Sequence, residues 1–246
     1  MLRFFRKLRE RLFVEGKVRT YFFYALGEIV LVVIGILIAL QINNWNELRK
    51  AKIQEQELYL KLLENLDSDL LHIQHIDSLF KVHEDIHYNL YNTLNDNATY
   101  DPDLHYGMLR WAVEFRPTLK DNYQNRVDDL SSDEVRDALN HYFQVEETTE
   151  KVIDLFETLK ADLVRPYITS NNLLTLSDVY TEERYQEVDT RNSINYEALS
   201  KQFSTPEFEQ VLYELRVKTS GAFQNLRVLR EASQSLRKTI QGEIKQ

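Results

Sequence analysis

A long apolar segment near the N-terminus, Tyr21–Ile42, limits what this chain can fold into more than any other feature. As a helix its 22 residues span about 33 Å, close to the roughly 30 Å of a bilayer's hydrocarbon core. Aromatic residues flank the segment, with Tyr21 and Tyr24 at its start and Trp45 beyond its end. Membrane helices carry aromatic residues at these interfacial positions. The sequence therefore predicts one transmembrane helix over residues 21–42, anchored in a lipid bilayer.

Two other interpretations of the apolar segment fit less well. A buried core helix of a soluble protein rarely combines such a long apolar run with a basic cluster at one end. A cleaved signal peptide has a shorter apolar region, followed by a small-x-small cleavage site that this sequence lacks. The chain also has no cysteine, which excludes disulfides and lipoprotein processing.

The charges around the segment predict its orientation. Residues 1–20 contain seven Lys and Arg and only two Glu, whereas the basic residues just behind the span are mixed with glutamates. Basic residues stay on the cytoplasmic side of a membrane helix. We therefore expect the N-terminus in the cytoplasm and residues 43–246 on the far side, which in a bacterium means an inner-membrane protein with a periplasmic domain.

The remaining charge pattern fits the same topology. Residues 1–13 have phenylalanine and leucine on one helical face and arginine around the other, which predicts an amphipathic helix on the membrane surface. The chain as a whole carries −9 despite its basic start, so residues 43–246 are strongly acidic. An acidic domain argues against binding to nucleic acid, which requires a basic surface.

Glu28 is the one ionisable residue within the apolar segment. At 100° per residue it shares a face with Tyr21 and with Val32, Gly35, Ala39 and Asn46. Gly35 and Ala39 form a small-xxx-small pair, which allows another membrane helix to approach closely. Two interpretations of Glu28 remain open. In the first, Glu28 contacts a partner or carries an ion-linked function. In the second, Glu28 lies near the cytoplasmic interface and only helps to position the helix in the membrane.

The stretch Gly27–Glu47, GEIVLVVIGILIALQINNWNE, resembles the N-terminal signature of a large uncharacterised family of single-span proteins in Bacteroidota. The preceding FFRKLRERL start fits the same family, and Glu114–Tyr142 is similar to a diverged form of its middle region. The resemblance implies a location and an architecture. It implies no activity and no catalytic residues.

The rest of the chain predicts an all-α fold, with the transmembrane helix continuing into an elongated antiparallel helical bundle. Glycine (6) and proline (4) are scarce, and apolar residues recur at helical spacing over residues 45–95. After Asp101-Pro102-Asp103 we expect a helix to about Phe115, and a short helix over Leu119–Leu130.

Two longer helices and two short ones complete the predicted bundle. Ser131-x-x-Glu134 predicts a capping box that opens a helix of about 34 residues, ending near Arg165-Pro166. Short helices are predicted near Glu182–Glu187 and Tyr196–Phe203. Thr205-Pro206-Glu207 predicts the cap of a last helix, whose stripe is Leu212, Leu215, Thr219, Ala222, Leu226, Leu229, Ser233, Leu236 and Ile240.

His83-Glu84-Asp85-Ile86-His87 matches the H-E-x-x-H pattern of zinc hydrolases. Asp85 places a charge inside the pattern, Leu90 stands where a glycine extension would begin, and no third ligand is evident. We therefore expect no catalysis, no cofactor and no metal, with His83 and His87 as weak metal candidates. The simpler interpretation of these histidines, without a metal, is a solvated helix face on which some histidines face neighbouring helices.

The sequence thus predicts a non-enzymatic scaffold, adaptor or sensor of the envelope, anchored in the inner membrane. With only about 20 cytoplasmic residues expected, it would act through helix–helix contacts in the membrane, as a homodimer or with a membrane-protein partner. The alternative is a stator-like subunit of an ion-driven envelope machine that uses Glu28. Such subunits have an αβ periplasmic domain, which this sequence does not predict.

Overall fold

The computed structural model describes residues 18–95, 99, 101, 103–175 and 193–245, without the side chains of residues 18, 20 and 21. The described part is helical, and its only β-type pairing is an isolated bridge between Leu174 and Ile194. The predicted helices over residues 1–13 and 182–187, and the side chain of Tyr21, lie outside the described residues. The chain divides into two compact units, residues 1–57 and residues 58–246.

The first helix, α1, is Val18–Leu94 and runs through both units. Its part in residues 1–57 contains an apolar window long enough to cross a membrane, and none of that window is buried. Leu31 is 73% exposed and Ile42 is 61% exposed. By length and composition this part of α1 could span a bilayer.

The second unit has an apolar core formed by the rest of α1 and by two further long helices, α3 (Asp133–Leu159) and α6 (Pro206–Ile244). Phe80 of α1 packs against Phe156 of α3, with ring centroids 4.9 Å apart, and against Phe223 of α6 at 6.1 Å. All nine residues of the predicted α6 stripe are buried, which confirms the helical spacing read from the sequence.

Both long helices begin at side-chain caps. Thr205 caps α6 as predicted, accepting a hydrogen bond from the amide of Phe208. For α3 the predicted cap was wrong by one position, because Ser132 rather than Ser131 accepts from the amide of Val135. Ser132 also donates to Glu243 of α6 at 2.8 Å, a contact that only the tertiary fold supplies.

The helical path continues past the predicted stop at Arg165-Pro166. A π-helical turn, Lys160–Val164, follows α3 and leads into α4 (Arg165–Ser170). Pro166 lies in the first turn of α4, where a missing amide hydrogen costs little. Asn172 ends this helix at φ 54°, and Leu173 donates to the carbonyl of Ile168 at 3.0 Å, as in a Schellman motif.

The segment between α1 and α3 differs most from prediction. Instead of a helix from Asp101 to Phe115, it contains a 3-10 helix, Tyr106–Arg110, followed by residues 111–118 without regular structure. The short helix α2 (Leu119–Tyr123) then runs into a 3-10 helix, Gln124–Asp129. The remaining helix, α5 (Tyr196–Ser200), lies within the predicted range 196–203.

Candidate functional site

The predicted membrane face is open in the described structure. Glu28, Val32, Gly35, Ala39 and Asn46 are all exposed, and a Cβ atom built on Gly35 would meet no atom within 4 Å. Of the predicted interface anchors, Trp45 is 66% exposed and Tyr24 is half-buried. Whether this face binds a partner stays a prediction.

His83 and His87 lie inside the second unit. They are 0% and 4% exposed, respectively, so the interpretation of a solvated face does not hold for these two histidines. They face neighbouring helices, as the second half of that interpretation expected. The His83 ring lies 5.3 Å from Phe156 and 6.3 Å from His87, measured between ring centroids.

Both imidazoles are held neutral by their surroundings. Burial, with the positive charge of Lys160 as a smaller cause, lowers the pKa of His83 well below its ordinary 6.5. Burial and the nearby Arg216 lower the pKa of His87 to about 3. None of their four ring nitrogens has a hydrogen-bonding partner among the described residues. Buried polar atoms are rarely left unpaired, so this pair is unusual.

The glutamate of the H-E-x-x-H pattern forms a contact between helices. Glu84 accepts a hydrogen bond from Arg216 of α6 at 2.7 Å, so its carboxylate is held in an ion pair. Within the described ranges no three His, Asp or Glu side chains lie close enough together to hold a metal ion.

A buried lysine, Lys160, lies close to His83. Lys160 is fully buried, packs over the Phe156 ring at 4.9 Å, and lies 3.2 Å from Glu157. Burial lowers its pKa to about 8. The amine also donates to the main-chain carbonyl of Trp111. Its amine therefore contacts two groups of the fold itself.

Two buried carboxyl groups form a separate polar cluster. Asp69 of α1 accepts hydrogen bonds from Tyr142 at 3.4 Å and from Thr118 at 3.3 Å. Glu146 of α3 accepts from the amide of Lys120 at 3.3 Å, and its second oxygen has no partner among the described residues. Burial raises the pKa of Asp69, and it raises the pKa of Glu146 to about 8.

The sequence interpretation missed these polar core residues, although a signal was present. In α1 the buried positions from Tyr59 to Leu90 follow a spacing of three and four residues, with Ile86 as the one addition, and Asp69, His83 and His87 occupy places in that stripe. Glu146 of α3 and Lys160, at the start of the π-helical turn, occupy such places in the next stripe. A charged residue at a stripe position predicts a buried polar group.

A cavity of about 610 Å³ opens between the C-terminal end of α1 and the N-terminal half of α6. His87 is part of its wall, and four aromatic residues and Arg216 line it as well. The aromatic residues are Tyr88, Tyr91, Phe203 and Tyr213. This cavity is the candidate for a binding site in the described part of the second unit.

Comparison with known proteins found one family model that matches part of the chain. Residues 28–100 match a family described as a family of unknown function, DUF6090. This agrees with the resemblance to an uncharacterised family, whereas the source in Bacteroidota stays a prediction. No curated protein and no solved structure matches the chain. The match covers most of α1, including Asp69, His83 and His87, and because the function of the family is unknown it assigns no role to these residues or to the cavity.

Proposed function

We propose that this protein is a membrane-anchored interaction protein of the bacterial envelope, with its N-terminus in the cytoplasm and a helical domain in the periplasm. One observation carries the proposal. The apolar window of α1 is entirely exposed, whereas the second unit buries its own apolar stripe. Exposed apolar surface of this extent is costly in water, and a bilayer would cover it.

Three ion pairs support an antiparallel bundle as the periplasmic domain. Arg216 pairs with Glu84, Arg230 pairs with Asp77 at 3.0 Å, and Arg237 pairs with Asp67 at 3.0 Å. Residue numbers rise along α6 as those of their α1 partners fall. Such a bundle needs no second chain to bury its core, so its outer surface stays available for a partner.

The face that carries Glu28, Gly35 and Ala39 is the proposed contact within the membrane. Gly35 and Ala39 leave room for a second helix to approach closely, since no atom lies near the Gly35 Cα on that side. The partner is a second copy of this chain or another membrane protein. The role is that of a scaffold, adaptor or sensor, and it needs no catalytic residue in this chain.

Topology can be tested directly, because the chain has no cysteine of its own. In a Leu71→Cys variant the new thiol replaces a side chain that is 68% exposed. We expect a membrane-impermeant maleimide to label Leu71→Cys in intact spheroplasts. A Lys7→Cys variant should react only after the membrane is permeabilised. Labelling of Lys7→Cys alone in intact spheroplasts would contradict the proposed orientation.

The membrane contact can be tested by pull-down from native membranes. We expect Gly35→Leu to lose its partner, because the larger side chain blocks close helix approach. Leu37→Phe adds bulk on the opposite side of the helix and should retain the partner. Retention of every partner by Gly35→Leu and by Glu28→Gln would refute the contact. Crosslinking in detergent shows whether the lost partner is a second copy.

The stator-like alternative rests on Glu28, an ionisable group in an apolar stretch. Glu28→Gln separates the two functions, since the amide keeps the size of the side chain and removes the carboxylate. Unchanged complexes with lost function in cells would favour ion coupling. Unchanged complexes with unchanged function would favour the scaffold, adaptor or sensor role.

A further inference from the structure

The two buried histidines of α1 lie together in the core of the second unit. His83 is 0% exposed and His87 is 4% exposed, and their ring centroids lie 6.3 Å apart. None of their four ring nitrogens has a hydrogen-bonding partner among the described residues. Their charged neighbours Lys81 and Asp85 on the same helix are exposed to solvent. In the closed fold a proton added to either ring would therefore gain neither water nor a hydrogen-bond acceptor.

On the side of α3, the charge that acts on His83 is positive. Lys160 lies 4.9 Å from the centroid of the Phe156 ring, and the His83 ring lies 5.3 Å from the same centroid. The Lys160 amine contacts Glu157 at 3.2 Å. This contact does not cancel the charge of the amine, because burial and then Lys160 lower the pKa of His83 well below 6.5. A protonated His83 would face a like charge.

On the side of α6, the charge that acts on His87 is also positive. Arg216 lines the same cavity as His87 and is paired with Glu84 at 2.7 Å. Glu209 lines that cavity too. Despite these two carboxylates, burial and the charges of Arg216 and Lys160 lower the pKa of His87 to about 3. The tyrosines in the cavity wall are neutral in acid and supply no counter-charge.

The end of α1 that carries the two histidines packs beside open space. The cavity of about 610 Å³ lies between this end and α6, with Leu94 in its wall. Closer to the start of the second unit, ion pairs join α1 to α6, Asp77 with Arg230 and Asp67 with Arg237, both at 3.0 Å. A helix end beside a cavity has fewer contacts to lose than the centre of a bundle, so it opens at a lower free energy.

We propose that residues 83–94, the end of α1, form an acid-operated latch, which is closed on α3 and α6 at neutral pH and opens when His83 and His87 take up protons. Opening exposes Ile86 and Leu90, both 0% exposed in the closed fold. Acid thus uncovers apolar surface on the second unit. The latch involves the second unit alone and does not depend on the proposed contact within the membrane.

Acid favours the open state because only that state binds the protons. In the open latch the imidazoles are solvated and titrate near their ordinary pKa of 6.5. In the closed latch they stay neutral at pH 5, since the pKa of His87 is about 3 and that of His83 is also well below 6.5. From pH 7 to pH 5 each histidine therefore raises the ratio of open to closed chains by about 25-fold.

The test is hydrogen–deuterium exchange of the full-length protein in detergent micelles at pH 7 and pH 5, with each rate corrected for the intrinsic pH dependence of amide exchange. Protection is compared between residues 83–94 and residues 62–76 of the same helix. The double variant His83→Leu/His87→Leu removes both titrating groups and keeps apolar volume in the core. His75→Leu is the matched control, since His75 is exposed on α1.

We expect residues 83–94 of the wild type and of His75→Leu to lose protection at pH 5, while residues 62–76 stay protected. The double variant should keep residues 83–94 protected at both pH values. A second variant, His87→Gln, keeps a polar side chain that does not titrate and should reduce the pH response of this segment by about 25-fold.

Three results would overturn the latch. The first is an equal loss of protection in both segments, which means that acid unfolds the whole unit. The second is protection of residues 83–94 that does not change between pH 7 and pH 5. The third is the same pH response in the folded histidine variants as in the wild type, which means that other groups take up the protons.

Discussion

Lys160 donates a hydrogen bond from the first residue of the π-helical turn to the main-chain carbonyl oxygen of Trp111. The same amine lies 3.2 Å from Glu157, which accepts from the amide of Val113 at 2.8 Å. Trp111 and Val113 belong to the stretch without regular structure. The buried Lys160 and the partly buried Glu157 therefore satisfy backbone groups that no helix or sheet would satisfy.

Replacing this lysine should destabilise the fold. Lys160→Met keeps the length of the side chain and removes the amine, so the Trp111 carbonyl and Glu157 each lose their contact with Lys160. We expect the free energy of unfolding to fall by about 1–3 kcal/mol, measured by urea denaturation in detergent with far-UV circular dichroism. Lys151→Met removes a 68% exposed side chain from α3 and should change stability by less than about 0.5 kcal/mol. Equal losses would contradict the anchoring role.

Two adjacent glutamates of α3 should respond to pH in opposite directions. The pKa of Glu146 is raised by burial to about 8, so between pH 4.5 and 8 the folded chain keeps a proton that the unfolded chain releases. Stability therefore falls as pH rises through this window, by at most about 1.4 kcal/mol per pH unit for this group. Glu146→Gln should reduce that fall and be more stable than the wild type at pH 8.

Glu147 is the matched control on the next residue. Hydrogen bonds from Lys120 and Lys151 lower its pKa to about 2. Its contribution is fully present above pH 4.5 and is lost as pH falls towards 2. Glu147→Gln should therefore lower stability at pH 7, whereas Glu146→Gln should raise it. Urea denaturation of both variants at pH 5 and pH 8 checks the two signs, and the same sign for both would contradict the burial of Glu146.

Helix periodicity predicted most of this fold because the long helices satisfy their own backbones. The α6 stripe from Leu212 to Ile240 depends only on local spacing, and every member is buried. The segment after Asp101 was predicted wrongly because its structure does not depend on local spacing. Its extended part is held by residues far away in sequence, including Glu157 and His72, which accept from the amides of Val113 and Arg116. Hydrogen bonds between residues so far apart in the chain are not predicted by local sequence patterns.

The candidate site was harder to predict than the fold. The spacing of His83 and His87 along one helix did not show that both side chains are buried, because burial depends on the helices that pack against α1. The cavity requires the C-terminal end of α1 to lie beside Tyr213 and Arg216 of α6, an arrangement set by core packing between distant segments. The stripe positions of Asp69, Glu146 and Lys160 were a local signal of buried charge.

The unpaired imidazoles predict an acid-sensitive core. The pKa of His83 in the folded chain lies well below 6.5 because of burial. Below pH 6.5 the unfolded chain gains a proton that the folded chain cannot accept, so the wild type loses stability as pH falls. His83→Leu fills a similar volume without ring nitrogens. It should be about 1 kcal/mol more stable than the wild type at pH 7, with a larger advantage at pH 5.

His75→Leu is the control for this last prediction, because His75 is exposed on the same helix. It should change the free energy of unfolding by less than about 0.5 kcal/mol at both pH values. Urea denaturation of the three proteins at pH 7 and pH 5 makes the comparison. If His83→Leu is less stable than the wild type and the difference does not depend on pH, the His83 imidazole is hydrogen-bonded in solution. Its neutral, unpaired state would then be refuted.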